Sequence, residues 1–380
     1  MPSYWRLKRE KIQVRRRVVA GLEAIREQIR TTLPEQTTDR SLILGTLNTR
    51  DFDDNKFGHG PRLPESFYYL AEIIAAFDVI AIQELNRGLG PLERLMRVLG
   101  PDYRYLVTDV TEGRAGNTER LGMIYNRRKV TFTGVAGEVV LPDRLRMSES
   151  TKKGQFSRTP FAASFRSGWF NFVLATVHIY YGESSKKSAA YARRVKEIES
   201  VARFLAKRAK DEDANYVLVG DFNIDKFEDK TYDALDKFGF EVFRNKVGSN
   251  RKQNKFYDQI SFRTRPGELR LADGDRAHGV LNFFESVFRD DQFETYDAEV
   301  IKTLERRKVA LQEEKAATTS AKKIAKADKG IAKIESQLGN AEERRWYYEG
   351  EWRTFQMSDH YPLWVELDID FTQDYLETLK

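Results

Sequence analysis

Seven short apolar runs, "LILGTLN", "VIAIQE", "LGMIYN", "NFVLATVH", "YVLVGDFN", "FYDQISF" and "LWVELDI", are each bounded by polar turns and rich in β-branched and aromatic residues, the signature of buried strands. Helical patterns lie between some of them, at Glu65 to Ala76, Leu92 to Leu99 and Ser188 to Ala209. Strands interleaved with a few helices predict a two-layered β core flanked by helices. At 380 residues the chain is long for one domain and short for three, so one large core with additions is expected.

Many of these runs end in a polar residue of catalytic type, which a scaffold does not need. The runs lead to Asn48, Glu84, His178, Asp221 and Asn223, "FYD" carries Asp258, and "MSDHYPLW" places Asp359 and His360 just before a strand. Any one such carboxylate is usually a turn or helix cap. As a set, however, they combine hard oxygen ligands suited to Mg²⁺ with imidazoles able to move protons near neutral pH. That combination points to metal-assisted displacement at phosphorus. Asp225, at the end of "GDFNID", reads as an ordinary turn residue, and His59 and His278 lie outside the pattern.

Two segments are additions. Leu7, Ile12, Val19, Leu22, Ile25 and Ile29 recur at mostly helical spacing among arginines, predicting a helix in front of the main domain, packed on its outside. Asp297 to Arg345 is rich in Ala, Lys and Glu. In it, Ile324, Ala327, Ile331, Ile334, Leu338 and Ala341 form a heptad seam, with Val300, Leu304 and Leu311 as the partner strip. An antiparallel, coiled-coil-like hairpin closed by "AATTSAKK" is expected. The division is therefore 1–38, a basic helical extension; 39–296 with 346–380, a catalytic domain; and 297–345, the inserted hairpin.

Composition limits the chemistry. The chain has no cysteine, which excludes disulfides, thiolate metal sites and a cysteine nucleophile. Its formal charge of +6 leans toward polyanionic partners without specifying one. The basic N-terminus lacks the apolar segment of a secretory signal, and no run is long enough to span a membrane, so a soluble, cytoplasmic protein is expected.

Taken in order, "TLN", "IQE", "TVH", "GDFN", "YDQI" and "SDHYP" resemble the endonuclease/exonuclease/phosphatase superfamily, and "FSRTPFAASF", "TERLGMIY" and "SDHYPLWVEL" are similar to its deoxyribonuclease I branch. The resemblance implies a four-layer αββα sandwich of two packed β-sheets flanked by helices, with the motif residues gathered at one edge. It implies that Glu84 and Asn48 hold Mg²⁺, for which Mn²⁺ could substitute, with Asp359 close to the metal. Asp221 and Asn223 would position the attacking water and bind the scissile phosphate. His360 would pair with Asp258 and His178 with Glu119, as general base and general acid on the two sides of the phosphate. Arg158 would contact phosphate oxygens and Arg87 would read a groove.

The chain also departs from that branch. Asn117 stands where a groove-binding tyrosine is expected, and the hairpin has no counterpart. The leading reading is a metal-dependent endonuclease acting on nucleic acid, most simply DNA. One alternative is a phosphatase or phosphodiesterase of the same superfamily acting on a small phosphate ester or lipid headgroup. Another is a binding module that kept the fold and lost activity. The hairpin is open to three readings: a clamp on a phosphate backbone, an arm for a protein partner, or a spacer.

Overall fold

The computed structural model of the chain describes residues 1–52, 55–110, 118–142, 145 and 156–380; Asn117 lies outside them. Strands β1 (Ser41–Asn48), β2 (Val79–Leu85), β3 (Tyr103–Val107) and β4 (Arg120–Asn126) begin the first sheet. The second sheet comprises β5 (Thr131–Glu138), β6 (Phe161–Ser167), β7 (Phe170–His178), β8 (Asn215–Asp221), β9 (Glu241–Val242) and β10 (Asp258–Arg263). The chain then returns to the first sheet through β11 (His278–Val280) and β12 (Leu363–Asp368). The orders are β11-β12-β1-β2-β4-β3 and β5-β6-β7-β8-β10-β9. Within each sheet one neighbouring pair is parallel, β1 with β2 and β7 with β8, so these four strands send their carboxyl ends to one edge.

Period-two alternation builds the layers. Leu42 and Leu44 of β1 face the second sheet and pack with Val217 and Val219 of β8 and with Val365 of β12. Ile43 and Leu47, half a period away, face outward. The outer face of the first sheet is covered by α1 (Ile12–Thr32), α2 (Pro64–Ala75) and α3 (Gly90–Leu99). The outer face of the second is covered by α4 (Ala189–Asp211) and α5 (Lys230–Asp236). The result is the αββα sandwich expected. No helix among the described residues is long and apolar enough to cross a membrane.

The amino-terminal helix is tied in firmly. Val18 and Ile25 are fully buried, Gly21 lies against Tyr69, and Arg17 pairs with the buried Glu65 at 2.5 Å. Toward the carboxyl end, α6 (Phe293–Ala316), α7 (Ala321–Gly339) and α8 (Ala341–Tyr347) occupy the region read as a hairpin. Lys308 pairs with Glu335 and Lys315 with Asp328, so α6 and α7 run antiparallel. The root of this region is core: Tyr296, Val300, Leu304, Tyr348 and Trp352 pack with the first sheet's helices. The chain continues through a wide helical turn at Tyr348–Trp352 and α9 (Arg353–Gln356) back to β12.

Strands β3, β5, β6, β9 and β11 go beyond the seven apolar runs. β5 is an edge strand exposed along nearly its whole length, so no hydrophobic alternation marks it. β6 alternates Phe161, Ala163 and Phe165 inward with Ala162, Ser164 and Arg166, and joins β7 through Gly168 at φ 55°.

Candidate active site

Strand register places the polar residues side by side. His178, at the end of β7, is the registered partner of Asp221 on β8, and Asp221 is also the partner of Asp258 on β10. Gly220 makes the close approach possible: its φ is 130°, and a Cβ there would collide with the carbonyl of Val177. Across the cleft, Asn48 ends β1 beside β2. The pairing of β2 with β4 shifts register between Ile82 and Leu85, and Glu84, with φ 61°, lies within that bulge. A bulge of this kind re-aims one side chain, and here it turns a carboxylate toward the mouth.

Asn48 Nδ2 donates to Glu84 Oε1 at 2.9 Å and to Asp221 Oδ2 at 3.1 Å, linking the two sheets. Its Oδ1 accepts from the Arg50 backbone N–H at 2.9 Å, and Glu84 Oε2 accepts from Asp51 N–H at 2.8 Å. Arg50 and Asp51 hold positive φ, and the buried Arg62 secures that turn by donating to the carbonyls of Thr49, Arg50 and Asp51. Asn223, also at positive φ, donates from its N–H to Asp221 Oδ1 at 2.9 Å and from Nδ2 to Ile179 O at 2.8 Å.

Two imidazoles face Asp221. His178 Nε2 lies 3.5 Å and His360 Nε2 3.9 Å from Asp221 Oδ2. On its other side His360 Nδ1 is 2.7 Å from Asp258 Oδ2, and the ring stacks on Tyr257. Burial disfavours the imidazolium, but the carboxylates of Asp258 and Asp221 outweigh it and hold the His360 pKa well above the usual histidine value. His178 Nδ1 sits 3.1 Å from Glu119 Oε2, at ion-pair distance but without hydrogen-bond alignment.

Arg158 donates to both oxygens of Glu119, from Nε at 2.6 Å and Nη2 at 3.2 Å. Burial alone would raise the Glu119 carboxyl; His178 and this guanidinium overcome it and bring its pKa down to about 2. The fork of Arg158 is thus engaged by Glu119, which leaves its Nη1 for any contact with phosphate. Arg87 is exposed on the loop after β2. Asp359 is 40% exposed, with Arg50 Nε 3.6 Å from its Oδ2. Asp225, expected to be an ordinary turn residue, is instead buried and held by Lys255 at 2.5 Å, a tertiary ion pair with a segment 30 residues away.

Sequence reasoning missed the supports. Gln83 donates to Thr46 on its own sheet and to Thr176 on the other, pinning the two together beneath the site. Ser358 Oγ donates to Asn48 O at 2.6 Å and accepts from His360 N–H at 3.0 Å. Ser249 Oγ accepts from Asp258 N–H. The fully buried Arg194 donates to the carbonyls of Tyr181, Glu183 and Asn223. His59, expected to be unremarkable, is buried against Phe355 with 4.4 Å between ring centroids.

Among the described residues, no group of three or more His, Asp or Glu side chains forms a ready-made metal cluster. The donor set nevertheless suits a hard divalent ion, which takes one or two carboxylates and completes its shell with water and substrate oxygens. Among the described residues Glu84 has no lysine or arginine ion pair. Burial, together with the nearby charges of Glu119 and Asp359, raises its carboxyl above the usual range, against the pull of His178 and the Asn48 amide. A cation at Glu84 and Asn48 would relieve that unfavourable potential.

An edge so furnished suits the hydrolysis of a phosphate ester. Residues 46–360 match the Endonuclease/Exonuclease/phosphatase family, and the chain belongs to that family of hydrolases. Among solved structures, an endonuclease/exonuclease/phosphatase family protein from Bacteroides thetaiotaomicron is similar at TM-score 0.51 and 16% identity, over 87% of this chain and 98% of its own. A mannosyl-6-phosphatase from B. thetaiotaomicron is similar at TM-score 0.48 and 18% identity, covering 63% of this chain and 89% of that one. D. rerio TDP2 complexed with a single-strand DNA product gives TM-score 0.42 and 16% identity, over 64% and 91%. At these identities the likeness is one of fold. No curated protein matches the chain.

Proposed function

We propose that the chain is a divalent-metal-assisted phosphoesterase whose reacting group is a phosphate diester. The observation that supports this most directly is the pair of carboxylate-held imidazoles, His178 and His360, whose Nε2 atoms both approach Asp221 Oδ2. Displacement at phosphorus with an alkoxide leaving group needs one proton removed from water and one delivered to the departing oxygen. Two imidazoles flanking one carboxylate supply both. A diester carries a single negative charge, which fits a mouth where Glu84, Glu119, Asp221, Asp258 and Asp359 gather and Arg158 is already paired with Glu119.

In this reading Glu84 and Asn48 would hold Mg²⁺ or Mn²⁺ with Asp359 nearby, and such an ion would supply Lewis-acid polarisation of the phosphate. Asp221 and Asn223 orient the attacking water and the phosphate. His178 and His360, set by Glu119 and Asp258, move the protons, and Arg158 reaches the phosphate through Nη1. Two substrates compete. The flanks around Glu119, Arg158 and His360 favour a nucleic-acid backbone. The comparisons give more support to the wider class of phosphatases and phosphodiesterases, which includes small phosphate esters and lipid headgroups.

The test is hydrolysis of bis(p-nitrophenyl) phosphate, p-nitrophenyl phosphate and supercoiled plasmid, each with Mg²⁺ and with chelator. Diester turnover that requires Mg²⁺, and that in Glu84→Gln needs far more Mg²⁺ for half-activation, is the expected result. Undiminished turnover in chelator overturns the metal assignment, and turnover of the monoester alone overturns the diester assignment. Plasmid nicking decides between the two substrates.

A further inference from the structure

Helix α7 segregates its charge. Its apolar side faces α6: Ala327 and Ile334 are buried, and Gly330 lies against Leu311. Its acidic residues, Asp328 and Glu335, turn to one flank and pair with Lys315 and Lys308 of α6 at 2.6 and 2.7 Å. Lys322, Lys326, Lys329 and Lys333 are exposed, and no ion pair among the described residues engages them. Steps of four, three and four keep them within roughly 60° of one another around the helix, on the side away from the apolar seam. They form a ridge roughly 16 Å long at 1.5 Å per residue.

The ridge leads to the catalytic mouth. At its inner end Lys333, Arg307 and Arg50 all lie close enough to His59 to oppose its protonation. Arg307 Nη1 is 3.0 Å from His59 Nδ1, His59 stacks on Phe355, and the Arg50 guanidinium lies 3.9 Å from the Phe355 ring centroid. Arg50 in turn sits two residues beyond Asn48 and 3.6 Å from Asp359. A positive path therefore runs from the tip of the α6–α7 pair to the site.

We propose that this lysine face of α7 is a track for a nucleic-acid backbone, which it feeds to the site at the strand ends. The proposal rests on reading that site as a diesterase and adds its substrate class: a polyanionic strand long enough to reach the hairpin. Lysines are point charges that hold phosphates without reading bases, and four at this spacing cover about five phosphate steps at 3.4 Å of duplex axis per strand. A protein partner would call for an aromatic or arginine anchor in the middle of the face. The residues interspersed with these lysines, Ala325, Ala332 and Ser336, offer none.

The experiment uses the full chain with the lysines replaced together, as K322E/K326E/K329E/K333E and, to guard against misfolding, as K322Q/K326Q/K329Q/K333Q. Affinity for a fluorescein-labelled oligonucleotide, single-stranded and duplex, is measured in chelator across salt concentrations. Each lost phosphate contact lowers the log–log salt slope by roughly 0.7 to 0.9, so the glutamine variant should lose about 3 from the slope. Its hydrolysis of bis(p-nitrophenyl) phosphate should match the wild type, because that substrate is too small to reach α7. An unchanged slope overturns the track, as does salt-independent oligonucleotide binding by the wild type. Loss of chromogenic diester turnover in the wild type would instead remove the underlying diesterase reading.

Discussion

His178 ends β7 in the second sheet, whereas His360 enters the site from the segment that leads into β12 of the first. Both turn Nδ1 toward a buried carboxylate and Nε2 toward Asp221, yet they are held differently. Glu119 divides its charge between His178 and the two-point fork of Arg158. Among the described residues Asp258 has no lysine or arginine ion pair and its Oδ1 accepts no hydrogen bond, so the positive charge of His360 is its main compensation. The same imidazole–carboxylate unit thus serves two ends. Glu119 is shared between a ring and a guanidinium, whereas Asp258, with no guanidinium beside it, holds a proton on the His360 ring.

The largest effect should come from removing either ring. His178→Ala and His360→Ala are each expected to lower kcat on bis(p-nitrophenyl) phosphate by about 10²- to 10⁴-fold, the range of a positioned acid or base. The double variant should fall little further than the worse single one, because groups acting on one phosphate form a unit. A multiplicative loss would separate the two rings, and a silent His178→Ala would leave His360 acting alone.

How much of this was legible in the sequence follows from distance along the chain. Asn48, Glu84, His178 and Asp221 could be read because each closes an apolar run and parallel pairing aligns such ends within each sheet, whereas Asp258 opens β10 and its antiparallel register brings that start beside the end of β8. Ser358 could not. It is a small hydroxyl without a local pattern, and its role depends on reaching Asn48 across 310 residues. Arg62 and Arg194 look like solvated arginines in the sequence and become buried clamps only after the turns they bind have folded over them. For Arg158, similarity of the flanking residues implied a phosphate ligand, but tertiary contact adds the carboxylate that shares its fork. The bulge at Glu84 was equally hidden, since a register shift belongs to a pair of strands and not to one run.

The next effect tests the guanidinium that distinguishes the two settings. Arg158→Gln leaves Glu119 buried with only His178 beside it, and breaking a buried pair in this way costs about 3–5 kcal/mol of stability. Chemical denaturation measures the loss. Arg158→Lys should restore little of it, because a single ammonium cannot reproduce contacts from Nε and Nη2. Adding Glu119→Gln to Arg158→Gln should recover part of the stability by removing the stranded charge. If the double variant is no more stable than Arg158→Gln, Glu119 is not the partner that matters, and the contrast between the imidazoles loses its cause.

The smallest effect concerns a third imidazole, which has neither arrangement. His59 is buried on Phe355, its Nδ1 is 2.9 Å from the Tyr347 hydroxyl, and no carboxylate among the described residues pairs with it. Burial, reinforced by Arg307, Arg50 and Lys333, lowers its pKa from 6.5 to about 3. A pKa depressed by folding means that the folded state favours the neutral ring. The stability this group contributes is therefore complete above pH 6.5 and is lost as pH falls toward 3, by at most about 1.4 kcal/mol per pH unit. Urea midpoints of the wild type and His59→Gln should differ most at pH 7.5, where the variant lacks the stacked ring, and should converge by pH 4.5 as protonation of the ring in the unfolded chain draws the wild type toward unfolding. The carboxylates that also titrate in this window are common to both proteins, so the difference isolates His59. A gap that stays constant from pH 7.5 to 4.5 would mean that His59 titrates like an exposed histidine, and burial without a carboxylate would then not be what separates it from His178 and His360.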